Sequence, residues 1–343
     1  MKGLRWWMLS LLLVAPGLRA AEPLFDLKPV VPGVWAAIAK EQYKVNCNAA
    51  VVELDDGLLV VDTHSKPSAA RALIDQIKTV SSKPVKFVVD THFHWDHYQG
   101  NQAYPAVWPQ GIEIISSEAT RESIEQRGIP RVKHEILGVP KEIEKLKADL
   151  AQAADAGKKA QLEENLRQAE SYLAELKAMQ VTLPTLTFDR SLIIHRKSRN
   201  VHILWLGKAH TDGDVFVYLP KEKFIATGDA LQGWLPYMGD GYPYDWIKTL
   251  EAAEQLDFDY TIGGHGDVIR GKAQFELWRT YLIDLMAATA DAFANGESMK
   301  DAEKSVAAKL QPQYASKFPA GMYDKSVSPN IQKAYRVVSG STE

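Results

Sequence analysis

The chain has 343 residues, 46% hydrophobic and 24% charged, a globular balance that excludes a disordered or collagen-like chain. At roughly 100–200 residues per domain, that length holds one large or two fused units. A net charge of −3 and a single cysteine speak against a nucleic-acid partner and exclude a disulfide framework or a cysteine-rich zinc module.

Met1–Ala20 begins with Lys2 and Arg5, runs through the apolar stretch Met8–Ala15 and ends on Gly17-Leu18-Arg19-Ala20. That is the layout of a secretory signal peptide cut before Ala21. The apolar run falls well short of the roughly 20 residues that span a bilayer. The expectation is an exported chain, periplasmic or secreted, with no membrane attachment once residues 1–20 are removed. Removal takes Lys2, Arg5 and Arg19 and no acid, so the mature chain is more acidic still. Cys47, in an apolar stretch, reads as a small core residue.

Gly33–Ala39, Ala49–Leu54 and Leu58–Asp62 read as successive strands, with Asp55-Asp56-Gly57 as a hairpin turn. Pro67–Val80 carries Ala70, Leu73, Ile74 and Ile77 at helical spacing. Val85–Asp90 and Ile112–Ile115 are compact strands, and Glu118–Gln126 is a helix. From Pro140 to Met179 the pattern changes. Ile143, Leu146, Leu150 and Ala153, then Leu162, Leu166, Ala169, Leu173 and Leu176, recur at three and four residues on either side of Gly157. This predicts an antiparallel helical hairpin, read as a solvated excursion closing on itself, with a lid or a homodimer contact as the sharper alternatives. Strands resume at Thr185–Phe188, Leu192–His195, Val201–Leu206, Val215–Leu219 and Phe224–Ala226. A helix at Trp246–Leu256 and a strand at Tyr260–Gly263 follow, and the chain beyond Lys272 is mainly helical. Two β-rich halves with flanking helices predict an α/β (α+β) fold of two sheets packed face to face, helices outside. The domain covers residues 21–272, with the hairpin inserted at 140–179 and a C-terminal helical extension at 273–343.

The chemistry is concentrated after strands. Val85–Asp90 is followed by Thr91-His92-Phe93-His94-Trp95-Asp96-His97. In extended chain, residues two apart point the same way, so His92 and His94 can share a metal, and a turn brings Asp96 and His97 to a neighbouring position. His210, Asp229 and His265 each lie just after a strand and beside glycine, which permits close backbone approach. His134, His195 and His202 read as surface or strand residues.

These residues resemble the metallo-β-lactamase-fold superfamily over roughly Val34 to Gly271, outside the helical insert. The matching elements are Asp62 after Leu58-Leu59-Val60-Val61, the His92-x-His94-x-Asp96-His97 group, His210, Asp229 and His265. The resemblance implies an αββα sandwich in which His92, His94 and His210 hold one metal, Asp96, His97 and His265 a second, and Asp229 bridges both. Asp62 would orient a ligand imidazole. Nitrogen and carboxylate ligands suit two Zn2+ ions, although iron and manganese accept the same donors. The implied chemistry is hydrolysis by a metal-activated hydroxide, with Asp96 orienting it. An aspartate at position 229, where true β-lactamases have cysteine or serine, resembles the glyoxalase II, lactonase and phosphodiesterase branches. The expected substrate is a small molecule with an ester, lactone, thioester or amide-type bond. β-Lactam hydrolysis is the alternative, and a metal-bearing binding protein with little turnover is the alternative of another class. Five aromatics between Gly233 and Trp246 suggest a wall beside the metals, with Trp234, Tyr237 and Tyr242 as candidate substrate contacts. His64 stands where the superfamily often has glycine and is a further candidate contact. Asp245 is expected to cap the following helix.

Overall fold

The computed structural model describes residues 23–40, 45–109 and 111–341; the expected signal peptide lies outside them. Alternation with period two sets the first sheet. In β3 (Ala49–Glu53) and β4 (Leu58–Val61), Ala50, Val52, Leu59 and Val61 face one apolar layer, while Ala49, Val51, Leu58 and Val60 face another. A strand apolar on both faces must be covered on both. These two strands lie in the middle of a seven-stranded sheet. Its other members are β1 (Phe25–Val31), β2 (Val34–Ala39), β5 (Val85–Val89), β6 (Glu113–Ser117) and β7 (Leu186–Phe188), in sequential order. Neighbours are antiparallel through β4 and parallel from β4 to β7. The second sheet has the order β13-β12-β11-β10-β9-β8, built from β8 (Ser191–His195), β9 (Asn200–Leu204), β10 (Phe216–Leu219), β11 (Phe224–Gly228), β12 (Tyr260–Gly263) and β13 (Ile269–Arg270). Within it only β11 and β12 run parallel.

The sheets meet through Val52, Leu59, Val61, Val89 and Ile115 against Ile203, Val217, Leu219, Phe224 and Ile262. Burying each such side chain contributes about 1.5–3 kcal/mol. Outside the first sheet lie α1 (Pro67–Ile77), through Ala70, Leu73, Ile74 and Ile77, and α3 (Ala103–Val107), through Ala103 and Tyr104. Outside the second lie α7 (Pro243–Glu254), α8 (Ala273–Ala294), α9 (Met299–Tyr314) and α10 (Met322–Val338). Their Trp246, Leu250, Trp278, Leu282, Val306 and Ile331 share one core with Phe216 and Ile225. The expected αββα sandwich with C-terminal helices is therefore what the chain forms. Among the described residues, no helix is long and apolar enough to cross a membrane.

Three local expectations are corrected. β1 went unread because Lys28 and Pro29 interrupt its pattern; it is an edge strand, where a missing N–H is tolerated. The helix expected at Glu118–Gln126 does not stop there. α4 (Glu118–Ser123) passes through a π-turn at Ile124–Gly128 into α5 (Ile129–Gln152), and Pro140 lies inside that helix rather than at its start. The hairpin bends at residues 153–155, and Gly157 falls inside α6 (Ala156–Ala178). The stop signal is Asp155, whose side chain accepts from the Lys158 N–H at 2.7 Å.

The hairpin seam does use Ile143, Leu146, Leu166, Ala169, Leu173 and Leu176, extended toward its base by Val132, Ile136, Val139 and Tyr172. It is not a free excursion, however. The Glu175 carboxylate accepts from the Ser68 N–H (2.9 Å) and hydroxyl (2.7 Å) in the first turn of α1, which has no side-chain cap of its own. Asp245 lies in the first turn of α7, with Tyr242 at the cap position.

Trp278 is fully buried and its indole N–H donates to the Trp234 carbonyl at 3.1 Å, so it joins the C-terminal helices to the second sheet's loops. Trp278→Ala is expected to lower unfolding free energy by about 3–5 kcal/mol, measured by urea titration. A loss below about 1 kcal/mol would mean that the helices are not part of this core.

Candidate metal centre

Parallel pairing puts the C-terminal ends of β4 and β5 at one rim, and that of β11 beside β12 at the facing rim. Each candidate ligand lies on a loop at this edge. β5 leads into Thr91–His94 and then the four-residue helix α2 (Trp95–Tyr98), which carries Asp96 and His97. Asp229 follows β11, His265 follows β12, and His210 lies on the loop between β9 and β10. Gly264 makes the convergence sterically feasible: a Cβ there would collide with Asp229 Oδ1 and press on the His97 ring.

All seven expected ligands meet. Three groups have their donor atoms within 4.8 Å of one another: His92, His94 and His210; His92, His97 and Asp229; and Asp96, His97 and His265. Asp229 lies between the halves. Its Oδ1 is 3.4 Å from His97 Nε2, and its Oδ2 is 3.4 Å from His265 Nε2 and 3.7 Å from His210 Nε2. Asp96 Oδ2 is 3.5 Å from His265 Nε2 and 3.7 Å from His97 Nε2.

Every ring is held by its far nitrogen. The Nδ1–H groups of His97, His210 and His265 donate to the Asp62 carboxylate (2.8 Å), the Tyr237 carbonyl (3.0 Å) and the Asn46 carbonyl (2.8 Å). His92 Nδ1 lies 3.1 Å from the Thr91 hydroxyl, which itself donates to Asp62. His94 is turned over, with Nε2 2.8 Å from Asp240 and Nδ1 facing His210. Such partners fix the ring orientations and direct the inner nitrogens at one another, where each offers a lone pair once it carries no proton. His92 Nε2, His97 Nε2 and Asp229 Oδ1 are buried with no hydrogen-bond partner. An unsatisfied buried group costs about 1–3 kcal/mol, and here the orphans point at one another. A divalent cation satisfies them together; the donor set fits.

The two halves differ electrostatically. Burial and the neighbouring imidazoles hold His92 well below the ordinary histidine range and His210 at about 3, so both are neutral. Burial opposes charge on His97 too, but the carboxylates of Asp62, Asp229 and Asp96 prevail and raise it to about 10. His265 is raised against its burial by Asp229 and Asp96.

Asp62 adopts a positive φ of 63°, a conformation costing on the order of 1–3 kcal/mol in a non-glycine residue. It also accepts from the Thr91 N–H at 2.8 Å. Its bonds to His97 and to Thr91 tie that ring to the loop that carries His92. A cavity of about 490 Å³ opens over the centre, a size suited to a small molecule. Trp234 and Tyr237 line it, and Trp234 stacks on His265 at 4.5 Å. The other two expected contacts do not. His64, at φ 70°, is turned away into the layer outside the first sheet, stacked on Phe25 at 4.2 Å, with Nδ1 bonded to the Cys47 carbonyl. Tyr242 packs under Lys208 and its N–H donates to the Ala209 carbonyl.

Sequence reasoning missed Asp240, Arg127, Arg131 and Asn330. Asp240 stands between Gly239 and Gly241, an isolated acid in an aromatic loop, and that was the available signal. Arg127 pairs with Asp240, tying the hairpin base to His94. Asn330 on α10 donates to the Pro236 carbonyl (2.7 Å) and accepts from the Met238 N–H (3.1 Å), bracketing Tyr237. The base of the insert and α10 therefore form walls of the cavity, through Arg127, Arg131, Met322 and Ser326.

Metal uptake must displace protons from His97 and His265 but not from His92 or His210. Zinc affinity of the Asp96, His97 and His265 half is therefore expected to fall about tenfold per pH unit from 9 to 6 for the proton on His97, and more steeply once His265 is also protonated. Chelator competition across that range checks this, and pH-independent affinity contradicts it. Gly264→Ala is expected to displace Asp229 and lower zinc affinity at least roughly tenfold, with the far-ultraviolet dichroism unchanged; unchanged affinity contradicts it.

A family model described as the metallo-beta-lactamase superfamily matches residues 43–265. The linear primary-alkylsulfatase of Pseudomonas sp. (strain ATCC 19151) is 23% identical over 254 residues, 71% of this chain and 44% of that protein. The type 2 metallo-beta-lactamase of Elizabethkingia meningoseptica is 25% identical over 87 residues, 24% of this chain and 35% of that protein. The chain thus spans less than half the length of either relative. A solved metallo-beta-lactamase from Pontibacter korlensis superposes with a TM-score of 0.55 at 18% identity, covering 76% of this chain and 99% of that one. FIM-1 from Pseudomonas aeruginosa, in its mono-zinc form, does so with 0.54 at 18% identity, covering 76% and 95%. Fold, matched region and converging His/Asp groups agree: the chain belongs to the metallo-β-lactamase superfamily.

Proposed function

We propose that the chain is an exported hydrolase that holds two zinc ions and cleaves an ester, lactone, thioester or amide-type bond in a small molecule. The observation that carries this reading is the meeting of two three-ligand sets at Asp229, on the floor of an open cavity. His92, His94 and His210 would hold one ion, Asp96, His97 and His265 the other, with Asp229 shared. Divalent ions at such a site supply Lewis acidity and bring the pKa of water from 15.7 to about 7. Five imidazoles and two carboxylates suit zinc, and the related fold of FIM-1 is one that carries it.

The chain's own residues prepare that chemistry. Asp62 and Asp240 fix the His97 and His94 rings, so that neither must reorient during reaction. Asp96 is 8% exposed and lines the cavity, where it would orient the attacking water and accept its proton. Trp234 and Tyr237 would shield the reacting bond and bind an apolar group. Asp229, rather than cysteine or serine, between the two halves favours the glyoxalase II and lactonase type of centre over β-lactam cleavage. The alkylsulfatase relative agrees with hydrolysis as the reaction class.

Zinc-loaded protein is expected to turn over at least one member of a panel of lactone, thioester, phosphodiester and cephalosporin. Metal bound with no turnover across the panel would make the chain a binding protein instead. Asp96→Asn is expected to bind zinc more weakly at the half it shares with His97 and His265 and, saturated with zinc, to lose roughly 10²–10⁴-fold in kcat, the range of general acid–base contributions. Retained metal with full activity would remove Asp96 from the mechanism.

A further inference from the structure

One wall of the cavity is not accounted for by metal binding. Arg127 and Arg131 stand one turn apart at the base of the hairpin, and both line it. Their position is built by Gly128, which lies against the Tyr98 hydroxyl where any Cβ would collide. The close approach sets the guanidinium of Arg127 4.3 Å from the centre of the Phe93 ring and that of Arg131 5.4 Å from that of Trp95. Arg127 is engaged by Asp240, the carboxylate that holds His94. Arg131 pairs at 3.1 Å with Glu135, one turn along its own helix and outside the cavity lining. That contact occupies one of five N–H donors, and exposed pairs of this spacing are weak enough to yield to a competing anion.

The rest of the cavity shows what it would accept. Trp234, Leu235, Tyr237 and Met322 make it apolar on the side of the C-terminal helices. Of its three carboxylates, Asp96 and Asp229 belong to the metal centre and Asp240 is neutralised by Arg127. Among the described lining residues, Arg131 is thus the cation whose charge is not matched by an acid of the cavity. We infer that the substrate carries a negatively charged oxygen group, carboxylate or sulfate, on an apolar body, and that Arg131 selects it. This rests on the hydrolase reading above. A planar guanidinium over an aromatic ring is suited to both anions through paired N–H donors.

The test compares the zinc-loaded wild type with Arg131→Gln, Arg131→Lys and, as a remote control, Arg270→Gln. With a neutral nitrophenyl butyrate and an anionic nitrophenyl hemisuccinate, Arg131→Gln is expected to raise KM for the hemisuccinate roughly 10–100-fold relative to the butyrate. That is the factor supplied by a hydrogen bond to a charged group. kcat should change little, Arg131→Lys should recover part of the loss, and Arg270→Gln should match the wild type. An equal effect on both esters, or none, overturns the inference. Titration with hexanoate and hexyl sulfate, read by tryptophan fluorescence, decides independently of turnover. Weaker binding of either anion to Arg131→Gln supports the subsite and identifies the preferred group, while binding of both unaltered by the substitution overturns it. If the wild type hydrolyses neither ester, the hydrolase reading is what fails, and the titration still decides the role of Arg131.

Discussion

The structure depends on an arrangement that is unfavourable by itself. Five imidazoles and two carboxylates are drawn out of water into one space, with His92 Nε2, His97 Nε2 and Asp229 Oδ1 left without partners. In a low-dielectric interior such a cluster destabilises the chain unless cations enter it. Each ring is nonetheless locked by a bond on its far side, to Asp62, Asp240, Thr91 or a backbone carbonyl. The fold therefore maintains a site complementary to positive charge before any arrives. Protonated His97 and His265 fulfil that role in part, which is why metal binding and proton release are coupled here.

The sandwich makes this arrangement possible by spending its apolar alternation on the inside and its strand ends on chemistry. Strands buried on both faces carry few polar side chains along their length, and the candidate metal ligands fall on the loops where the strands stop. The helical additions then shape access. Glu175 fastens the hairpin to α1, the π-turn and Gly128 bring its base over Phe93, and Asn330 of α10 clamps the loop whose carbonyl holds His210. Arg127 and Asp240 form a continuous polar link from the insert to a metal-site ring.

What was legible in the sequence follows from this division. The ligand residues follow strands, with Asp229 and His265 directly beside glycines, so their type and order could be read without coordinates, as could the two-layer core from strands with apolar alternation. The bend of the hairpin was misplaced because glycine at 157 looked like the break, whereas a good N-cap at Asp155 ends the turn more effectively. The length of α5 was missed because Pro140 suggested a start. Neither signal reveals tertiary docking, so Arg127 and Arg131 could not be seen facing the cavity. His64 was misjudged for a related reason. Its position in sequence is next to the site, but a left-handed backbone at that residue sends its ring to the opposite side of the sheet.

Anomalous diffraction at the zinc edge, from crystals grown with excess zinc, would locate the ions relative to these seven side chains. Two peaks are expected to flank the Asp229 carboxylate, one enclosed by His92, His94 and His210 and the other by Asp96, His97 and His265. Peaks elsewhere, or a well-ordered Asp229 or His265 turned away from the His92 cluster with zinc bound, would contradict this arrangement.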